Sequence, residues 1–111
     1  MTILKLLAAA LTVAYGIWAV FMPEKILSLV GLAAEGPRGI TEARAALGAL
    51  YIGLGVNCLW VRTPAVFATL GAGYAAMAAV RVIAIFTDDS ADTSNLASLA
   101  IEALCSIVLL L

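Results

Sequence analysis

Four apolar runs, each about as long as a bilayer is thick, restrict what this chain can fold into. They extend from about Ile3 to Met22, Ile40 to Trp60, Pro64 to Phe86 and Thr93 to Leu111. A spanning helix needs roughly 17–25 predominantly apolar residues. A soluble domain would have to hide these runs inside itself. At 111 residues, 65% of them hydrophobic and only 12% charged, the chain is too short to do so. In lipid the uncovered apolar faces need no hiding, and helices satisfy their own backbone polar groups. The expected fold is all-α: a single membrane domain over residues 1–111, with four transmembrane helices in antiparallel sequence.

The connections support that order. Pro23 suits the first turn of a helix, and Glu24 is favourable at that end. The stretch "ILSLVGL" is too short to span, which predicts a brief interfacial helix ended by Gly31. "EGPRG" reads as a loop, "VRTP" as a tight turn with Pro64 opening the third span, and "TDDSADTSN" as an acidic polar loop. Asp92 or Thr93 can cap the fourth helix. The first run is too long for the apolar core of a signal peptide and lacks a clear cleavage site, so it reads as a retained helix. No internal repeat of the kind found in inverted-repeat transporters is visible.

Sorted by this topology, the charges separate. Lys5 and Arg62 fall on the side that carries both termini. All seven acids lie toward the other side, with Lys25, Arg38, Arg44 and Arg81. Basic residues in the true loops are balanced, and the terminal side has no acid. The expectation is that both termini are cytoplasmic, in a bacterial cytoplasmic membrane. Arg81 lies five residues inside Phe86, Arg44 four inside Ile40 and Glu102 six inside Leu96. At about 1.5 Å per residue, the three share a layer within roughly 10 Å of one interface.

Side chains lean toward the N-terminus of their helix. Arg81 therefore leans toward the membrane centre, whereas Arg44 and Glu102 lean outward and can snorkel. Arg81 is the group that most needs an internal partner. Asn95, Ser98, Glu102 and Ser106 form a polar stripe on the fourth helix. Arg44, Gly48, Tyr51 and Gly55 share a face of the second, and Tyr74, Met77, Arg81 and Asp88 a face of the third. The candidate site is an intramembrane polar cluster of Arg44, Arg81, Glu102, Tyr51, Tyr74 and Asp88. Arg81 and Glu102 form its expected buried pair. An ion, proton or anionic-ligand site is one reading of it, and a structural clasp between helices is the other.

Other chemistry has little to stand on. The chain has no histidine, the commonest metal ligand and general base. Cys58 and Cys105 sit in separate apolar runs and read as small hydrophobes. Asp88, Asp89 and Asp92 read as a solvated loop and a helix cap rather than a cation site. No cofactor, metal or catalytic residue is expected. A net charge of −1 argues against a nucleic-acid partner. Gly48, Gly53, Gly55, Gly71 and Gly73 suit close helix packing within the bundle. Trp18 and Trp60 suit interfacial anchoring.

"PEKILSLVGL", then "ITEARAALGALYIGLG", then "RVIAIFTDD", then a fourth span with Glu102 follow a recognisable order. In that order the chain resembles, over nearly its whole length, the family of small four-helix membrane proteins catalogued as domain of unknown function 4345. The resemblance implies a four-helix membrane bundle and no activity. Small multidrug exporters are similar in length and span number. Their first span carries a carboxylate, where this one carries only Lys5. The expected function is that of a non-catalytic accessory or structural subunit, with the bilayer and other membrane protein subunits as partners. The alternative is a small transporter or ligand binder, acting as a homo-oligomer through the Arg44, Arg81 and Glu102 layer.

Overall fold

A computed structural model describes residues 2–111, and among them every regular element is helical. We number five helices: α1 (Thr2–Phe21), α2 (Pro23–Leu29), α3 (Pro37–Val61), α4 (Pro64–Thr87) and α5 (Thr93–Leu110). All but α2 are long and apolar enough to cross a membrane.

Local chemistry sets the boundaries. Pro23 pushes Met22 out of the helical region (φ −133°, ψ 61°) and ends α1. The same proline opens α2 as its first residue. Gly31 then adopts φ +78°. The Leu32 N–H donates to the Leu27 carbonyl at 2.8 Å and the Gly31 N–H to the Ser28 carbonyl at 3.3 Å, the paired bonds of a Schellman stop. The short interfacial-type helix thus lies where the sequence predicts it.

The second span begins at Pro37, three residues before the expected Ile40, because proline is again usable at a first helical position. Most of "EGPRG" is therefore helix rather than loop. An Arg38–Glu42 ion pair one turn apart supports that first turn. The same span holds a feature that the sequence does not announce. Ala43–Ala49 is π-helical, and the Leu50 N–H donates to the carbonyl of Ala45, five residues back.

Arg62, at φ 57°, turns the chain between α3 and α4. Thr63 caps α4 by accepting from the Val66 N–H at 3.3 Å. Asp89 (φ 51°) takes the left-handed position after α4 that glycine usually fills, and the Ser90 N–H reaches the Ile85 carbonyl at 3.1 Å. Asp92 caps α5, its Oδ1 accepting from the Asn95 N–H at 2.8 Å.

The chain divides into two compact units, Ala9–Val61 and the segment up to Ala8 together with Arg62–Leu111. In the first unit α1 and α3 run antiparallel in close backbone contact. A Cβ placed on Gly16 would lie 2.6 Å from the Gly48 carbonyl oxygen, and one on Gly55 would lie 2.8 Å from that of Ala9. Tyr15 and Tyr51 pack with ring centroids 5.0 Å apart. In the second unit α4 and α5 run antiparallel, and a Cβ on Gly71 would lie 2.9 Å from the Leu109 Cβ. The Lys5 Nζ sits 5.9 Å from the Phe67 ring centre.

Of the five glycines expected to serve packing, Gly48, Gly55 and Gly71 do so. Gly53 and Gly73 have open space where a Cβ would stand, so packing inside the chain does not account for them.

Candidate polar site within the spans

The site is built from the ends of α4 and α5 that adjoin their connecting loop. Arg81 lies two turns before the end of α4. The Asp92 cap sets the start of α5, which places Asn95 in its first turn and Glu102 two turns further along the same face. Antiparallel packing then brings these residues level.

The guanidinium of Arg81 grips Glu102 with two parallel bonds, Nε to Oε1 at 2.7 Å and Nη2 to Oε2 at 2.6 Å. This fork-to-fork geometry is the strong form of the arginine–carboxylate pair. The Arg81 Nη1 donates to Asn95 Oδ1 at 3.0 Å. Asn95 passes the chain of bonds onward, its Nδ2 donating to the Ser90 carbonyl at 2.9 Å and to Ser90 Oγ at 3.1 Å. Glu102 is only 6% exposed, whereas about a third of the Arg81 side chain remains accessible. Among the described residues no buried side-chain polar atom lacks a partner. A fully bonded polar network is the only kind an apolar environment tolerates cheaply.

Chemically, the arrangement clasps α4 to α5. Each Glu102 oxygen already accepts a guanidinium N–H, so the pair is formally neutral and the carboxylate is occupied. Beside the clasp lies an open groove of about 610 Å³, whose lining includes Met77, Val80, Arg81, Asp88, Ser90 and Asn95. Asp88 is exposed and ends α4, its N–H donating to the Ala84 carbonyl at 2.8 Å. Tyr74 is buried on α4.

The remaining residues of the expected cluster have partners elsewhere. Arg44 donates from Nη1 to the Val20 carbonyl at 2.5 Å, and Tyr51 packs against Tyr15 with the rings tilted by 42°. Both partners lie on α1. The face of α3 carrying Arg44, Gly48, Tyr51 and Gly55 is therefore the face that meets α1. Asn95 and Ser90 are the members that sequence reasoning left out of the cluster. Asn95 had a readable signal, since it stands on the Glu102 stripe at two turns' spacing. Ser90 had none, because it contributes its carbonyl and its hydroxyl from a loop outside any helical stripe. Among the described residues no group of three metal-ligating side chains occurs.

These features define a class: an all-helical protein with four membrane-length apolar helices and a neutralised polar clasp inside them. Within that class the chain belongs to the family described as Domain of unknown function (DUF4345), whose family model matches residues 1–111, the whole chain. Comparison with curated proteins and with solved structures finds no match.

Proposed function

We propose that this chain is a non-catalytic integral membrane protein that serves as an accessory or structural subunit of a larger membrane protein complex. The observation that carries this reading is the pair of unused glycines. Glycine weakens a helix interior by roughly 0.5–1 kcal/mol relative to alanine. Gly16, Gly48, Gly55 and Gly71 offset that cost by close packing, whereas Gly53 and Gly73 meet nothing within the chain. In membranes, small residues admit a neighbouring helix to close range. Gly73 is flanked by exposed Ala72 and Ala76, which suits a partner helix better than a lipid tail.

The test is a photo-crosslinker at position 72 or 76 in native membranes. The expected product is a defined adduct with another membrane protein, which co-purifies in mild detergent. Adducts with lipid alone, on a chain that migrates by itself, would refute the assignment.

The reading includes a bacterial cytoplasmic membrane and cytoplasmic termini. A cysteine placed in the 88–92 loop should then react with an impermeant reagent added from outside. Reaction only at position 62 would reverse the topology.

The groove beside Arg81 favours one second reading, a binder of small charged solutes. Under it, Asp88→Asn would change solute affinity without changing stability.

A further inference from the structure

Beyond Arg38 in the first turn of α3, two arginines sit deeper inside membrane-length helices, and the chain treats them differently. Arg81 has a carboxylate against its fork. Arg44 has a carbonyl, that of Val20. The ion pairs Arg38–Glu42 and Arg81–Glu102 include neither Arg44 nor Lys25. A carbonyl satisfies one N–H but carries no compensating charge. A guanidinium within a span is costly unless an anion or water meets it.

Arg44 and Lys25 line one open groove of about 370 Å³, together with Phe21, Met22, Ile40 and a single acid, Glu24. The groove is net positive. Its apolar wall includes Phe21 and Met22, which are 75% and 48% exposed. It lies where α1 ends and α2 begins, at the boundary of a candidate span.

We propose that this groove binds the phosphodiester headgroup of an anionic membrane lipid. Arg44 and Lys25 are its two cations, and Phe21, Met22 and Ile40 take the first methylenes of the acyl chains. The proposal rests on reading Pro37–Val61 as a membrane span. A guanidinium presents five N–H donors in a fork that matches two phosphate oxygens, and the Val20 carbonyl engages one of them. That bond orients the rest of the fork. Lys25 adds a point charge from the short helix α2. The apolar wall is what a lipid needs and a free phosphate does not. Basic pockets between spans recognise anionic headgroups by this chemistry.

The test uses the full chain in nanodiscs of phosphatidylcholine mixed with phosphatidylglycerol or phosphatidylethanolamine, with native mass spectrometry of the lipid retained. Phosphatidylglycerol should be retained about tenfold over either other lipid, given two surface cations. Lys25→Gln, which lies outside the spans and does not threaten folding, should reduce that preference severalfold. Arg44→Gln should do the same, while Arg38→Gln should leave it unchanged.

Equal retention of the three lipids, or a preference untouched by both Lys25→Gln and Arg44→Gln, would overturn the site. Displacement of the lipid by equimolar inorganic phosphate would overturn its lipid character. A chain that fails to enter the discs at all would overturn the membrane reading and the site with it.

Discussion

Arg81 and Arg44 show how much a single side chain depends on what a neighbouring helix offers. Arg81 is bound by a buried carboxylate and an amide oxygen, so removing either charge strands the other. Losing one partner of a buried pair costs about 3–5 kcal/mol in soluble proteins, and less near a bilayer interface where water and snorkelling relieve it. Arg81→Ala and Glu102→Ala should each destabilise the chain in detergent by roughly 2–3 kcal/mol. Arg81→Met combined with Glu102→Leu should recover most of that loss, since the pair then vanishes without leaving an unpaired charge. Thermal unfolding of the wild type, the two alanine variants and the double variant measures this. A double variant as unstable as the sum of the singles would contradict a clasp. Asp89 offers the opposite sign. It holds a left-handed conformation (φ 51°) after α4 that glycine adopts freely. Asp89→Gly should raise stability by about 0.5 kcal/mol in the same assay.

Between elements, backbone proximity does most of the work. α1 and α3 approach so closely at Gly16 and Gly48 that a methyl on either would strike the other helix. Overpacking of this kind costs roughly 1–3 kcal/mol. Gly16→Val should therefore lower the midpoint of thermal unfolding clearly. Gly53→Ala should leave it level or raise it slightly, since nothing lies within 4 Å of that position. If both variants behaved alike, the α1–α3 contact would not be the one described. The π-helical stretch Ala43–Ala49 belongs to this scale too. Apart from Gly48 its residues are good helix formers, and nothing in "ARAALGA" asks for a wider turn. The stretch lies where Arg44 reaches Val20 and Gly48 meets Gly16, so contact across the pair of helices accompanies it.

For the molecule as a whole, four helices of membrane length dominate the behaviour. Alkaline carbonate washing, which strips peripheral proteins, should leave the chain in the membrane fraction, with detergent needed for extraction. Recovery in the wash would contradict the spans. The four membrane-length helices, the short helix α2, the starts at Pro23 and Pro64 and a cap at Asp92 or Thr93 were legible from the sequence, whereas the start at Pro37 was not. Each depends on runs of residues or on a residue and its neighbours three or four positions away. Bilayer thickness and local capping geometry turn such one-dimensional patterns directly into structure. The Arg81–Glu102 pair was legible as well, because both charges were placed by depth and by face. What the tertiary structure alone decided was partnership. It gave Arg44 to the Val20 carbonyl, Tyr51 to Tyr15, Asn95 and Ser90 to the clasp, and left Gly53 and Gly73 open. Those outcomes turn on how each helix is rotated about its axis and which neighbour it meets. The widened turn in α3 alters that rotation for every residue beyond it, and sequence periodicity assumes a constant turn.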